Sequence, residues 1–87
     1  MLTISNPAAA RMSQLLATKT DDTVLRIVRR NRRMRLRWSL LRSDDRTFAH
    51  DGRVVLVLDG EVSESLSRQN LGLRETTAGP RLTLKAN

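Results

Sequence analysis

Apolar and polar residues follow two different spacings in the first part of this chain. The alternation in residues 2–5 predicts a short strand. Asn6 and Pro7 are typical of a helix start, because an asparagine side chain accepts hydrogen bonds from free amides and proline suits the first helical position. The following residues have helical spacing, which predicts a helix from Pro7 to Thr18. Its core-facing residues are expected to be Met12, Leu15 and Leu16.

The longest alternating pattern lies in residues 33–40. Every second position there is apolar, and the positions between them are arginine or serine, which predicts a half-buried strand with arginines on its wet face. The apolar positions are Met34, Leu36, Trp38 and Leu40. Residues 23–29 are rich in β-branched side chains and predict the preceding strand, with Asn31 in a tight turn between the two. Trp38 is expected in the core, and the alternative is that its row forms part of a dimer face.

The middle of the chain predicts a turn, a buried strand and a short helix. Asp51 and Gly52 indicate the turn, which follows a weak strand pattern. Residues 53–58 are the most hydrophobic run, which favours a central strand buried on both faces. Residues 60–70 then predict a short helix, with Asp59 capping its first turn. Its core-facing residues are expected to be Val62 and Leu66.

The end of the chain contains two more strand patterns, at residues 71–76 and 81–87. The order of elements predicts one small α+β domain over residues 1–87. It consists of mostly antiparallel strands with one N-terminal amphipathic helix and one short late helix.

The sequence contains no cysteine, and this absence excludes several kinds of functional site. With no cysteine among 87 residues, disulfides, thiolate zinc sites, cysteine-ligated iron–sulfur clusters and thiol nucleophiles are all excluded. No apolar run approaches the roughly 20 residues of a membrane-spanning helix, and the N-terminus lacks signal-peptide features, so a cytoplasmic location is expected. A single core is marginal at this length, and dimerisation would relieve that.

A formal net charge of +7 predicts attraction to polyanions or to acidic protein surfaces. Arginines at alternate positions of a strand lie about 7 Å apart on one face, which is close to the spacing of phosphates. The candidate polyanion-binding residues are Arg29, Arg30, Arg32, Arg33, Arg35 and Arg37, which Arg81 and Lys85 extend if the last strand lies nearby. Nucleic acid is possible but not favoured, because aromatic residues for base stacking are missing. A solvated basic face is the remaining interpretation.

No set of residues predicts an enzyme or a metal site. His50 lies near Asp44, Asp45 and Asp51, but a lone histidine in an acidic turn is most often a surface residue. Three serines in the short helical segment have no histidine partner, and no glycine-rich loop resembles a phosphate site. These serines are Ser63, Ser65 and Ser67. We therefore expect no catalytic residue, no bound metal and no cofactor.

Several strings of this sequence resemble the HesB/IscA family, the A-type carriers of iron–sulfur cluster assembly. "LTISNPAAARMSQLLA" is similar to the family's first strand, Thr-Pro-Ala-Ala segment and amphipathic helix. "VLRIVR" resembles its Leu-Arg-Val/Ile strand, and "DGRVVLVLDGEVSESLSRQNLGLRE" resembles its buried strand and short helix. "AGPRLTLKAN" stands where the family has a Gly-Phe segment leading to Asn-Pro. The resemblance covers nearly the whole chain and implies the HesB/IscA fold.

The departures from the family concern its cluster ligands. "RNRRMRLR" replaces the family's Gly-Gly-Cys-Ser-Gly segment, with Met34 near the family cysteine, and "TAGPRLTL" replaces the C-terminal Cys-Gly-Cys. The resemblance therefore implies a degenerate, cysteine-free, non-catalytic member. It is expected to be a protein-interaction or scaffold module that binds an acidic protein partner and is related to iron–sulfur cluster biogenesis by resemblance only. The alternative is a basic domain that binds nucleic acid or another polyanion through the face of Arg33, Arg35 and Arg37.

Overall fold

Strands dominate the computed structural model of the protein, which describes residues 1–86. Seven strands and two helices follow one another in this part of the chain. In order they are β1 (Thr3–Ile4), α1 (Asn6–Leu16), β2 (Thr23–Arg30), β3 (Arg33–Leu40), β4 (Arg46–His50), β5 (Arg53–Leu58), α2 (Gly60–Ser65), β6 (Gln69–Thr76) and β7 (Gly79–Ala86).

The strands form two sheets. One sheet has three strands in the order β1-β6-β7, and the other has four strands in the order β3-β2-β5-β4. The first sheet combines one antiparallel hairpin with the parallel pair of β1 and β6, and the second combines two antiparallel hairpins with the parallel pair of β2 and β5. The predicted α+β architecture of mostly antiparallel strands is confirmed, and the two parallel pairs are an addition that local patterns do not indicate.

The start of α1 lies one residue earlier than predicted. Ser5, not Asn6, is the N-cap, and its Oγ accepts a hydrogen bond from the backbone N–H of Ala8 at 3.2 Å. The Ser5 backbone N–H donates to the carbonyl of Leu71 at 2.9 Å, so Ser5 also belongs to the β1–β6 pairing. The chain therefore leaves the sheet and enters the helix at one residue, for which an extended serine is well suited.

The end of α1 is held by a side chain from β5. The helix ends at Leu16, two residues before the predicted end. The Arg53 guanidinium donates to the carbonyl of Thr20 at 3.1 Å and to that of Leu16. A positive side chain at a helix C-terminus satisfies free carbonyls and interacts favourably with the helix dipole.

The core lies between α1 and the two sheets, and β5 is its most buried strand. Val55, Leu56, Val57 and Leu58 are each at most 1% exposed, which confirms that this strand is buried on both faces. The short helix α2 adds Val62 and Leu66 to the core, as predicted. Asp59 caps it by accepting a hydrogen bond from the backbone N–H of Val62 at 2.8 Å, also as predicted.

Strand β3 is at the edge of its sheet, and the prediction that Trp38 is part of the core is wrong. Trp38 is 48% exposed, and Leu36 and Leu40 are 36% and 58% exposed. Helix α1 packs on β2, β4, β5 and β6, so the apolar positions of β3 lie beyond the helix that covers the middle of the sheet. An alternating pattern reports which face a side chain occupies, but it does not report whether another element covers that face.

Candidate functional site

The outer face of the β2–β3 hairpin carries a row of arginines. Arg30 pairs with Arg33 beside the turn, and Arg35 and Arg37 follow on the same face of β3. Asn31 and Arg32 form the turn, both with positive φ, as a two-residue turn between antiparallel strands requires. These arginines are exposed, and Arg30, Arg33, Arg35 and Arg37 are called the arginine row below. Within residues 1–86 none of the four forms an ion pair.

Arg29 does not belong to the arginine row. It pairs with Met34, so its side chain lies on the opposite face of the sheet from its neighbour Arg30. Its Nη1 lies 3.5 Å from the Oγ of Ser65 in α2. The structure therefore separates Arg29 from the arginines with which it was grouped.

Arg81 and Lys85 do not extend the arginine row either. Both lie on β7, which belongs to the other sheet. Within that sheet Arg81 pairs with Arg74 and Lys85 pairs with Asn70, on the face opposite the partly buried Leu82 and Leu84. The two residues therefore form a separate basic group on the other sheet, and their contribution to polyanion binding stays a prediction.

The inner face of β3 borders an open apolar groove of about 470 Å³. The groove lies between β3 and β7, the edge strands of the two sheets. Its apolar lining consists of Ile27, Met34, Leu36, Leu71, Leu82 and Leu84. Arg33 and Arg35 complete the lining, so two residues of the arginine row also border the groove. Beyond the groove Trp38 continues the apolar face of β3, with the Lys19 ammonium 4.7 Å from its ring centroid.

A buried ion pair holds the connection between β3 and β4. Arg26 lies in β2 between two core residues, and its guanidinium donates to both carboxylate oxygens of Asp45 at 2.8 and 2.5 Å. The same guanidinium donates to the Oγ of Ser39 and the carbonyl of Leu40. The two side chains of the ion pair are only 5% and 1% exposed.

The ion pair shifts the titration of both of its members. The hydrogen bonds from the Arg26 guanidinium hold the pKa of Asp45 below its ordinary value, and a hydrogen bond from the Arg42 backbone N–H acts in the same direction. The Asp45 carboxylate in turn raises the pKa of Arg26. This pair was missed by sequence reasoning, although an arginine inside the apolar run "TVLRIVR" is a signal that a buried counter-charge is needed.

The residues considered for a metal site do not converge. Asp45 is engaged by Arg26, while His50 lies at the end of β4 with its Nε2 3.4 Å from an oxygen of the exposed Asp51. Among the described residues no three His, Asp or Glu side chains come together as a group that could hold a metal ion. In residues 1–86 no helix is long and apolar enough to cross a membrane.

No protein-family model matches the sequence, and no curated protein is significantly similar to it. Solved structures, by contrast, share its fold. SufA from Escherichia coli, described as involved in the biosynthesis of iron–sulfur clusters, has a TM-score of 0.76 at 16% sequence identity, covering 98% of this chain and 84% of SufA. IscA with a [2Fe-2S] cluster has a TM-score of 0.67 at 13% identity, covering 99% of this chain and 85% of IscA. The HesB/IscA fold is thereby confirmed.

The side chains of this protein do not fit an iron–sulfur cluster of the kind named for that IscA structure. Such clusters are held by cysteine thiolates, and this sequence contains none. Met34 supplies the only sulfur among the residues that line the groove, and a neutral thioether is a weak ligand for iron. The fold is therefore shared with cluster-assembly proteins while the thiolate donors are not.

Proposed function

We propose that this protein is a non-catalytic member of the HesB/IscA-like proteins that binds an acidic protein partner through β3. The supporting observation is that the edge strand β3 carries Arg33, Arg35 and Arg37 on one face, without an ion-pair partner in residues 1–86, and apolar side chains on the other. Arginine, tryptophan and methionine are enriched at protein interfaces, and all three occur on this strand. The net charge of +7 favours a negatively charged partner in the cytoplasm.

The proposal includes the loss of cluster binding, and this can be tested directly. Anaerobic incubation with ferrous iron and sulfide, followed by desalting, is expected to leave no visible thiolate-to-iron absorption and no stoichiometric iron. The reason is that no residue of the chain supplies a thiolate. Iron and sulfide analysis of the desalted protein checks the result. A stable cluster with stoichiometric iron would contradict this part of the proposal.

A second candidate function is the binding of nucleic acid or another polyanion. The observation that favours it is the arginine row itself, since Arg33, Arg35 and Arg37 lie on one face of β3 without a carboxylate partner in residues 1–86. Contacts from such a row to phosphates are sequence-independent, and they weaken steeply as salt is added.

One binding experiment separates the two candidates. Labelled RNA, labelled DNA and a labelled acidic polypeptide of glutamate, valine and serine are titrated with the protein over a salt series, with fluorescence anisotropy as the measurement. We expect the acidic polypeptide to stay bound near 0.15 M salt and both nucleic acids to dissociate. Retention of RNA or DNA at this salt, with no binding of the polypeptide, would favour the second candidate.

A matched pair of triple variants locates the binding surface. The first replaces Arg33, Arg35 and Arg37 by serine, and the second replaces Arg74, Arg81 and Lys85, which are exposed on the other sheet, by serine. Both remove the same charge. Binding to the polypeptide is expected to fall at least about tenfold in the first variant and much less in the second. Equal losses would mean that net charge alone, and not the arginine row, is responsible.

A further inference from the structure

We propose that the partner contributes an extended strand that pairs with the free edge of β3, with acidic side chains on the arginine row and apolar side chains in the groove. This inference rests on the proposed function, and it adds the conformation and the side-chain pattern of the partner segment. Three features of β3 support it: its free backbone groups, its two chemically different faces, and the groove beside it.

On the side of β3 that faces away from β2, backbone N–H and C=O groups are positioned to pair with another strand. In a hairpin with a two-residue turn, the pair that flanks the turn exchanges both backbone hydrogen bonds, and bonded pairs then alternate with non-bonded pairs. Arg30 and Arg33 are the flanking pair, so the arginine positions of β3 point their backbone groups at β2. The N–H and C=O groups of the apolar positions point away from β2. These positions include Met34, Leu36 and Trp38, whereas the carbonyl of Leu40 accepts a hydrogen bond from the guanidinium of Arg26 in β2.

The two faces of β3 determine the side-chain pattern of the incoming strand. Side chains of a paired strand alternate between the same two faces as those of β3. The partner residues beside Arg33, Arg35 and Arg37 are therefore expected to be glutamate or aspartate. The residues between them are expected to be apolar, since they lie beside Leu36 and Trp38. The matching sequence pattern is an alternation of acidic and apolar residues over the length of β3.

The apolar side chains of the partner can be buried in the groove. Its lining joins Met34 and Leu36 of β3 to Leu82 and Leu84 of β7. A strand paired with β3 places its inward side chains beside Met34 and Leu36, which line the groove. Burial of apolar surface supplies binding free energy that is much less sensitive to salt than ion pairs.

A second copy of this chain is a poor occupant of the same edge. In an antiparallel pair of β3 strands related by a two-fold axis perpendicular to the sheet, residues opposite each other share a face. In the register centred on Arg35, Arg35 would face Arg35 and Arg33 would face Arg37, and in the register centred on Leu36, Arg35 would face Arg37. Like charges directly opposite each other are destabilising. Charged side chains on edge strands also prevent self-association in general. The charge pattern thus selects an acidic partner over a second copy.

The test uses a labelled synthetic peptide with the length of β3, eight residues, in which glutamate alternates with valine. A control peptide has the same composition with its glutamates in one block. We expect the alternating peptide to bind about tenfold or more tightly than the block peptide. A third peptide, N-methylated at every second amide so that it cannot donate to β3, is expected to lose at least the same factor.

Two variants of the protein test the same backbone contact by changing β3 instead of the peptide. Leu36→Pro removes an N–H that points away from β2, whereas Leu36→Ala shortens the side chain and keeps that N–H. Far-UV circular dichroism verifies the fold of both. Leu36→Pro is expected to weaken binding of the alternating peptide about tenfold more than Leu36→Ala does. If Leu36→Pro does not fold, the N-methylated peptide on the unmodified protein decides the question.

The possible outcomes separate this inference from the proposed function. If the alternating and block peptides bind equally, and the N-methylated peptide binds as well as both, strand pairing is wrong while recognition of acidic protein stands. If no peptide binds but the acidic polypeptide does, the strand inference is again overturned alone. If neither binds, both proposals fail. Sedimentation analysis could instead show a dimer that Leu36→Pro dissociates but that the added peptides do not dissociate. That result would mean that a second copy covers β3, and it would also overturn the inference.

Discussion

Replacement of Asp45 by asparagine is expected to lower the free energy of unfolding by about 3–5 kcal/mol, because it leaves the Arg26 guanidinium buried without its counter-charge. Asparagine has nearly the same shape, so the change removes charge and leaves packing intact. A chain of 87 residues has a total stability of roughly 4–13 kcal/mol, so the variant is expected to lose about a quarter of it or more. Urea denaturation followed by far-UV circular dichroism measures the effect.

A double variant provides the control for this prediction. Arg26→Met together with Asp45→Asn removes both charges, and it is expected to recover most of the stability that Asp45→Asn alone loses. The reason is that the cost of the single variant comes from an isolated buried charge and not from the loss of a favourable pair. If the double variant is as unstable as the single one, the hydrogen bonds of Arg26 to Ser39 and Leu40 dominate instead.

The same pair gives the protein a specific sensitivity to acid. The pKa of Asp45 is lowered in the folded state, so the unfolded state binds the proton more readily. The stability that the pair contributes is fully present above the unfolded pKa of about 3.9, and it is lost as the pH falls through the lower folded value. Between about pH 5 and about pH 2 the unmodified protein is therefore expected to lose more stability than Asp45→Asn does. Equal losses in both proteins would contradict this assignment.

Leu56→Ala is expected to cost about 2–5 kcal/mol, whereas Trp38→Ala, which removes a larger side chain, is expected to cost less than about 1 kcal/mol. Leu56 is completely buried in the central strand, and its truncation leaves a cavity. Trp38 is 48% exposed on the edge strand, and its truncation leaves a site that water fills. Thermal unfolding of both variants measures the difference, and a cost of several kcal/mol for Trp38→Ala would contradict the exposed placement of this residue.

Tryptophan fluorescence and circular dichroism follow different parts of this protein as it unfolds. The exposed ring of Trp38 lies beside the Lys19 ammonium, so its fluorescence reports on the edge of β3 and not on the core. Far-UV circular dichroism follows both sheets and helix α1. Coincident midpoints by fluorescence and circular dichroism would indicate that the edge strand unfolds together with the rest.

Most of the fold could be predicted from local patterns. Helix α1, the turn at Asn31, the buried strand β5 and the cap at Asp59 each follow from residues that are close in sequence. The resemblance to the HesB/IscA family implied the fold, which the solved structures share, but it gave no strand order. Shifts of one or two residues at the ends of α1 arise from contacts with β5 and β6, which are distant in sequence.

The candidate site was predictable only in part. The residues on each face of β3 follow from its local sequence, but the position of β3 in the sheet depends on residues that are distant in sequence. The alternation in β3 correctly predicted that Arg33, Arg35 and Arg37 share one face. It did not reveal that β3 is an edge strand, since strand order depends on the parallel pairing of β2 with β5. Nor did it reveal that Arg81 and Lys85 lie on a strand of the other sheet.

The pairing of β1 with β6 has a consequence for the synthesis of this protein. Thr3 and Asn70 pair across 67 positions, so the first strand of the nascent chain has no partner until most of the chain has left the ribosome. Until then helix α1 also lacks its packing against β6. Contacts between residues so distant in sequence form slowly. The β2–β3 and β4–β5 hairpins can therefore form before the three-stranded sheet, which needs residues of β6 and β7.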